Sequence, residues 1–202
     1  MVVVAMSENF NLREYKKVVA RQRILDAAAY EFKTHGFANT AISDIMRGAN
    51  LGVGTFYNYF NSKEEVLMNL VKNLFKQVEE RIEIARQENL SSLELLEICC
   101  KSTAELINDN RFILPLLSSA LEHSDKPEQN PKNISPGFKE IFDEIILSGQ
   151  QTGEFRKDIP VEIVAEMFHS IYQAAAFSKL KIPFKENINL KIKILLDGIK
   201  KR

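Results

Sequence analysis

The chain is predicted to be all-α, an N-terminal three-helix domain with a helix-turn-helix followed by a larger helical domain, on three observations. Apolar residues recur at i, i+3, i+4 and i+7 in one segment after another, the period of a helix buried on one side. The stretch from Thr40 to Lys63, TAISDIMRGANLGVGTFYNYFNSK, has the pattern of two short helices meeting at a tight turn. With 202 residues, 45% of them hydrophobic, the chain is long enough to bury a core in one or two domains.

The first helix is expected over 14–35, with Val18, Ile24, Leu25, Ala28, Ala29 and Phe32 on its buried side. Gly36 and Phe37 follow as a helix stop, glycine supplying the left-handed residue and phenylalanine the apolar one after it. Thr40 is the expected N-cap of the second helix, with Asp44 near the positive end of its dipole. Ile42, Ile45, Met46 and Ala49 form its buried face. Asn50 falls where the chain must turn, and asparagine tolerates the left-handed conformation.

The next helix opens after Gly52 and buries Phe56 and Phe60. Its other side carries Val53, Gly54, Thr55, Tyr57, Asn58 and Tyr59, small at the start and polar beyond. This is a helix-turn-helix whose second member can enter a DNA groove. Gly54 and Thr55 permit close approach, and Val53 and Thr55 offer methyl groups to thymine. Tyr57 and Tyr59 offer hydroxyls to phosphate, Asn58 an amide to a base edge, and Lys63 an ammonium to phosphate. Taken by itself, the pattern also suits a compact helical corner with no ligand.

The ordered run from Gly36 to Lys63, GF, then T, then I..I, then GTFYNYF, then SKEE, resembles the DNA-binding domain of the TetR family of bacterial transcriptional regulators. There a glycine or proline, a threonine, a tyrosine two residues on and a downstream lysine recur, matching Gly54, Thr55, Tyr57 and Lys63. The chain departs from that pattern in the turn, where Asn50, Leu51 and Gly52 replace the usual Gly-Val-Ser. Val53 stands where a lysine, arginine or glutamine is common, and Ser43 where a longer polar side chain is. The resemblance implies DNA binding through Thr40, Ser43, Val53, Gly54, Thr55, Tyr57, Asn58, Tyr59 and Lys63, and a domain division at 1–63 and 64–202.

Net charge is zero, but residues 1–63 hold eight Lys and Arg against five Asp and Glu, leaving the remainder acidic by the same margin. A positive head on a negative body suits a protein that presents one end to phosphate. Lys16, Lys17, Arg21, Arg23 and Arg47 are candidates for backbone contacts, although such charges also simply solvate helices. The N-terminal MVVVAM is too short for a signal sequence and no run of about 18 apolar residues exists, so a cytoplasmic protein is expected.

Ser62 is placed to cap a long helix with Val66, Leu67, Leu70, Val71, Leu74, Phe75, Val78 and Ile82 on one face. Ser91 or Ser92 starts the next, which Asp109 and Asn110 end. RFILPLLSSALEH carries Pro115, and residues 124–136 form a proline-rich loop. Further helices are expected from about Gly137 to Gln151, after an Asp158 cap with Pro160 in the first turn, and through Ile188, Ile192, Leu195 and Ile199.

The last two helices are too apolar for a solvated surface and a single helix-turn-helix head binds weakly, so a homodimer is expected, while family resemblance implies a small, largely apolar effector between the helices of residues 91–180. Candidate effector contacts are Phe112, Leu116, Phe138, Phe142, Phe168 and Tyr172. Candidate interface residues are Phe168, Ile171, Tyr172, Ala175, Ile188, Ile192, Leu195 and Ile199, forming half of a four-helix bundle about a two-fold axis. The alternative is that the same residues only close the core of one chain, and the dimer is the favoured reading. No cofactor or metal is expected: Cys99 and Cys100 are adjacent on a helix and point apart, and His35, His123 and His169 lack ligand spacing. GxSxG, P-loop and HExxH motifs are absent, so the chain is not expected to be an enzyme. Control by a protein partner, or a catalytic site hidden in the helical domain, are the alternative readings.

Overall fold

The computed structural model describes residues 12–113 and 136–201, without the side chains of 136–139. Pro115, Leu116, the loop at 124–135 and the side chain of Phe138 therefore lie outside the described residues. The described residues are helical, with only an isolated β-bridge between Phe155 and Lys200. The chain divides into two compact units, Met1–Leu70 and Val71–Arg202.

In the first unit α1 (Leu12–His35) packs on α2 (Ile42–Gly48), which packs on a 3-10 segment (Val53–Asn58). Ile24, Leu25, Phe32, Ile45, Met46, Phe56 and Phe60 are buried together with Val66 and Leu67 of the next helix, α3 (Lys63–Gln87). Those first turns of α3 complete this core, which is why the division falls past the expected boundary at Lys63. Val18, expected to be buried, is 66% exposed, because it lies on the first turns of α1, which buries nothing before Ile24.

Both turns of this unit follow from their residues. Gly36 has φ +80° and donates its N–H to Phe32 O at 3.1 Å, while Phe37 meets the Phe32 ring edge-on at 5.1 Å between centroids. Asn50 takes φ +53°, and Leu51 N–H closes the turn onto Met46 O at 3.0 Å. The segment after it is 3-10 rather than α. Thr55 N–H bonds Gly52 O at 2.9 Å, and Gly54 beside β-branched Val53 and Thr55 leaves little α-propensity.

Among the described residues of the second unit, which also include Val71–Gln87 of α3, four helices pack in a ring. In it α4 (Ser92–Asp109) packs on α5 (Pro136–Thr152), α5 on α6 (Val161–Ala176), α6 on α7 (Phe184–Ile199), and α7 back on α4. Inside lie Leu96, Cys100, Ile107, Phe142, Ile146, Phe168, Tyr172, Ile188, Ile192 and Leu196. Ser91 and Glu94 form a capping box at the start of α4: the Ser91 hydroxyl accepts from Glu94 N–H at 3.2 Å and the Glu94 carboxylate from Ser91 N–H at 2.9 Å. Glu154, after α5, accepts from the N–H groups of Ser92 and Leu93 at 3.2 and 3.1 Å, tying the two elements together. Asp158 does not cap α6. Pro160 is the N-cap residue, and the Asp158 carboxylate pairs with Arg156 instead.

Candidate nucleic-acid interface

The 3-10 segment sorts its side chains sharply. Phe56 and Phe60 are buried, while Val53 is 50% and Tyr57 64% exposed, with Gly54 and Asn58 also outside. Thr55 and Tyr59 are half-buried at the edge. Residues three apart eclipse in a 3-10 helix, so Gly54 and Tyr57 share one row and Thr55 and Asn58 the next. Phe56 alone turns inward. Its ring meets Tyr57 edge-on at 5.4 Å, which props the tyrosine away from the core.

Gly54 has no internal reason to be glycine. Its φ is not in the left-handed region, and a Cβ built on it meets nothing within 4 Å. A surface glycine in a helical turn costs about 0.5–1 kcal/mol relative to alanine. The backbone at Gly54 is open to the outside with no side chain in the way.

Two of the expected contacts make hydrogen bonds within the head. Thr40 is only 3% exposed, and its hydroxyl donates to Gly36 O at 2.9 Å. The N-cap of α2 is Ala41, which has no side-chain acceptor, so the Asp44 carboxylate accepts from Ala41 N–H at 3.1 Å. Lys63 is half-buried: its ammonium donates to Phe37 O at 2.7 Å and Thr40 O at 2.8 Å and sits 4.5 Å from the centre of the Phe37 ring. It fastens the α1–α2 connection to the start of α3 with two of its three protons. Arg21 is similarly committed, donating to Asn69 Oδ1 at 2.6 Å and lying 4.8 Å from the centre of the Phe60 ring. Ser43 is exposed on α2, and Arg47 is exposed with its guanidinium on Asp44 at 2.6 Å. Lys16, Lys17 and Arg23 are exposed along α1.

In the second unit the described aromatic residues expected to line an effector site are buried, and two of them pack against each other. Phe142 and Phe168 are fully buried with ring centres 5.6 Å apart, Phe112 is buried, and the Tyr172 hydroxyl donates to Cys100 O at 3.3 Å. Burial raises both cysteine thiols, Cys99 to about 12, and keeps them protonated. A cleft of about 320 Å3 lies instead beside α3 and α4, lined by Leu74, Val78, Arg81, Ser102, Glu105 and Lys185, among others. It contains none of the expected effector contacts. Lys185 crosses to Glu105 at 3.0 Å.

The expected interface also lies inside. Phe168, Ile171, Tyr172, Ala175, Ile188, Ile192 and Ile199 are buried within the chain and Leu195 is half-buried, because their stripes face the ring's own interior. A second set of apolar side chains on the same helices is exposed: Ile163, Met167 and Phe177 on or just after α6, and Leu190 and Ile194 on α7, the last 74% exposed. The spacing of four between 163 and 167, and between 190 and 194, was the available signal.

A family model described as bacterial regulatory proteins, tetR family, matches residues 24–70. The chain is 27% identical over 146 residues to the fatty acid metabolism regulator protein of Bacillus subtilis, covering 72% of this chain and 75% of that one. It is 27% identical over 149 residues to the transcriptional repressor KstR2 of Rhodococcus jostii, covering 71% of each. Among solved structures, FadR of Bacillus subtilis in complex with stearoyl-CoA superposes with a TM-score of 0.70 at 24% identity, covering 88% of this chain and 98% of that one. FadR of Thermus thermophilus in complex with lauroyl-CoA gives 0.69 at 23% identity, covering 90% and 96%. Among the described residues, no helix is long and apolar enough to cross a membrane.

Proposed function

Because the chain belongs to the TetR family of bacterial transcriptional regulators, we propose that it is a ligand-responsive repressor that binds a palindromic operator as a dimer and leaves it when a small molecule occupies the helical unit. It is a regulator, as its relatives are, and not an enzyme. The observation that carries the reading is the exposure of Val53, Gly54, Tyr57 and Asn58 beside buried Phe56 and Phe60. Base edges are read by the second member of a helix-turn-helix while the first crosses the backbone. That assigns Val53, Gly54, Thr55 and Asn58 to the groove, and the Tyr59 hydroxyl to phosphate at its rim. Tyr57, Ser43 and Arg47 go to phosphate. Thr40 and Lys63 position the others.

The exposed set Ile163, Met167, Phe177, Leu190 and Ile194 supports a two-fold interface through α6 and α7. Two heads then share an operator whose half-sites lie about one helical turn, or a multiple of it, apart. Ile194→Asp is expected to halve the sedimentation mass at micromolar concentration with little change in the chain's own melting. A monomeric wild type at that concentration defeats the dimer assignment.

For the effector we take the chemistry of the related proteins as the first guide: a long acyl chain carried as a coenzyme A thioester, which two structural neighbours hold. A coupling of about 1–3 kcal/mol between such a ligand and operator binding suffices for a switch. The experiment is a gel-shift titration on the chain's own upstream DNA with lauroyl-CoA, stearoyl-CoA and free coenzyme A. Release by the acylated forms alone supports this effector class. Specific DNA binding that none of them alters rejects it.

A further inference from the structure

The head holds eight lysines and arginines between Leu12 and Leu70, none of them in the 3-10 segment. A guanine is most often read by an arginine or lysine donating to its O6 and N7. Each candidate for that role is accounted for by position or by partner. Arg21 is held by Asn69 and the Phe60 ring, and Lys63 by the carbonyls of Phe37 and Thr40. Arg47 ends α2, the helix that crosses the backbone, with its guanidinium on Asp44. Arg13, Lys16, Lys17, Arg23 and Lys33 are all on α1.

What remains at the base edges is apolar or amide. Val53 is half exposed and Thr55 lies at the edge of the same surface, each with a methyl group to offer. Asn58 is exposed in the row that begins with Thr55. Methyl groups favour the thymine C5-methyl, and asparagine pairs with adenine N6 and N7. Gly54, with open space where a Cβ would be, lets the backbone between them approach the groove floor. Side chains that reach a minor groove from α1 would find only the A·T-versus-G·C distinction there, so they add no demand for guanine in the major groove.

We propose that A·T pairs alone specify the contacted steps of each half-site, with Val53 and Thr55 on thymine methyl groups, Asn58 on adenine, and no guanine required. This rests on the operator-binding reading above.

The test begins with selection of bound sequences from random duplex DNA by the full chain. The winning site is then remade with uracil in place of individual thymines, which deletes only the methyl group. The expected result is A·T at every contacted step and a loss of about fourfold in affinity for each contacted methyl, the value of burying one methylene-sized group. Val53→Ala should bind the thymine and uracil versions of its own step equally, and Asn58→Arg should move one selected position from adenine to guanine. Both side chains are exposed, so neither change disturbs the core. A selected site with an obligatory G·C pair at a contacted step overturns this inference and leaves operator binding intact. So does indifference to uracil at every position. Selection that enriches nothing overturns operator binding itself, and this inference with it.

Discussion

The two units use their aromatic residues in opposite ways. In the head, Phe56 and Phe60 are buried one turn apart so that Tyr57 and Asn58 stand outside, and what is left over from packing is what can function. In the helical unit, Phe142, Phe168 and Tyr172 look equally functional in the sequence, yet they fill the interior of their own ring. Where a segment is too short to bury more than one face, exposure identifies its working residues. Where four helices close on one another, an aromatic stripe is first of all the core.

The largest effect that could break this contrast is at Phe168. Phe168→Ala should destabilise the second unit by about 3–5 kcal/mol, the usual loss for a buried aromatic, as measured by denaturant unfolding of the isolated variant. If that change instead left unfolding intact and only shifted the oligomeric state, Phe168 would be an interface residue as the sequence first suggested. Ile194→Asp is its counterpart, with association the property that moves.

Next in size is Lys63. A lysine after a helix-turn-helix invites a phosphate contact, and its removal would then cost DNA affinity alone. The structure gives it two carbonyl acceptors at 2.7 and 2.8 Å within the head. Hydrogen bonds to charged groups contribute about 1.5–3 kcal/mol each, with partial replacement by water at a half-exposed site. Lys63→Ala is therefore expected to lower the head's own stability by about 2 kcal/mol as well as weakening operator binding. Unchanged thermal unfolding would restore the phosphate assignment.

Elsewhere the sequence was sufficient. Helical period, the glycine stop at Gly36, the left-handed Asn50 and a serine start to α4 are local signals, and each is realised by the residues that carry it. Burial of Phe56 and Phe60 was legible for the same reason. The role of Lys63 was not, because its acceptors are 23 and 26 residues away in the chain. Nor could spacing alone decide which stripe of α6 and α7 turns inward. Both stripes are apolar at helical intervals, and only the packing of α4 and α5 against them separates Ile171 and Ile188 from Met167 and Ile194. Thr40 shows the same limit at short range: Asp44 caps from within α2, so the threonine hydroxyl is free to turn back to Gly36.

A smaller, pH-dependent effect distinguishes the second unit. The Glu154 carboxyl is held below its ordinary value of 4.5: burial would raise it, but the amides of Leu93 and Ser92 and the Thr152 hydroxyl outweigh burial. Because the folded-state value is depressed, this stabilisation is present above the unfolded-state value and is lost as pH falls through the folded-state one. Wild type should thus be more stable than Glu154→Gln at neutral pH, with the gap closing in acid. A gap in melting temperature that stays constant between about pH 6 and pH 3 would remove the charged clamp between the end of α5 and the start of α4.

Gly54 provides the smallest change in folding and the sharpest separation of stability from function. It sits in a helical turn with a φ that any residue can adopt and with empty space around its missing side chain. By folding criteria alone alanine is better there, and Gly54→Ala should stabilise the head by about 0.5–1 kcal/mol through the entropy it removes from the unfolded chain. If the exposed row over Phe56 approaches a groove as closely as its small residues permit, the same methyl group pushes the backbone away and operator affinity falls. A variant that melts higher and binds worse is the outcome that ties the glycine to DNA. A variant that melts higher and binds equally well would leave Gly54 with no role at the interface, and would move the close approach to Thr55 and Asn58.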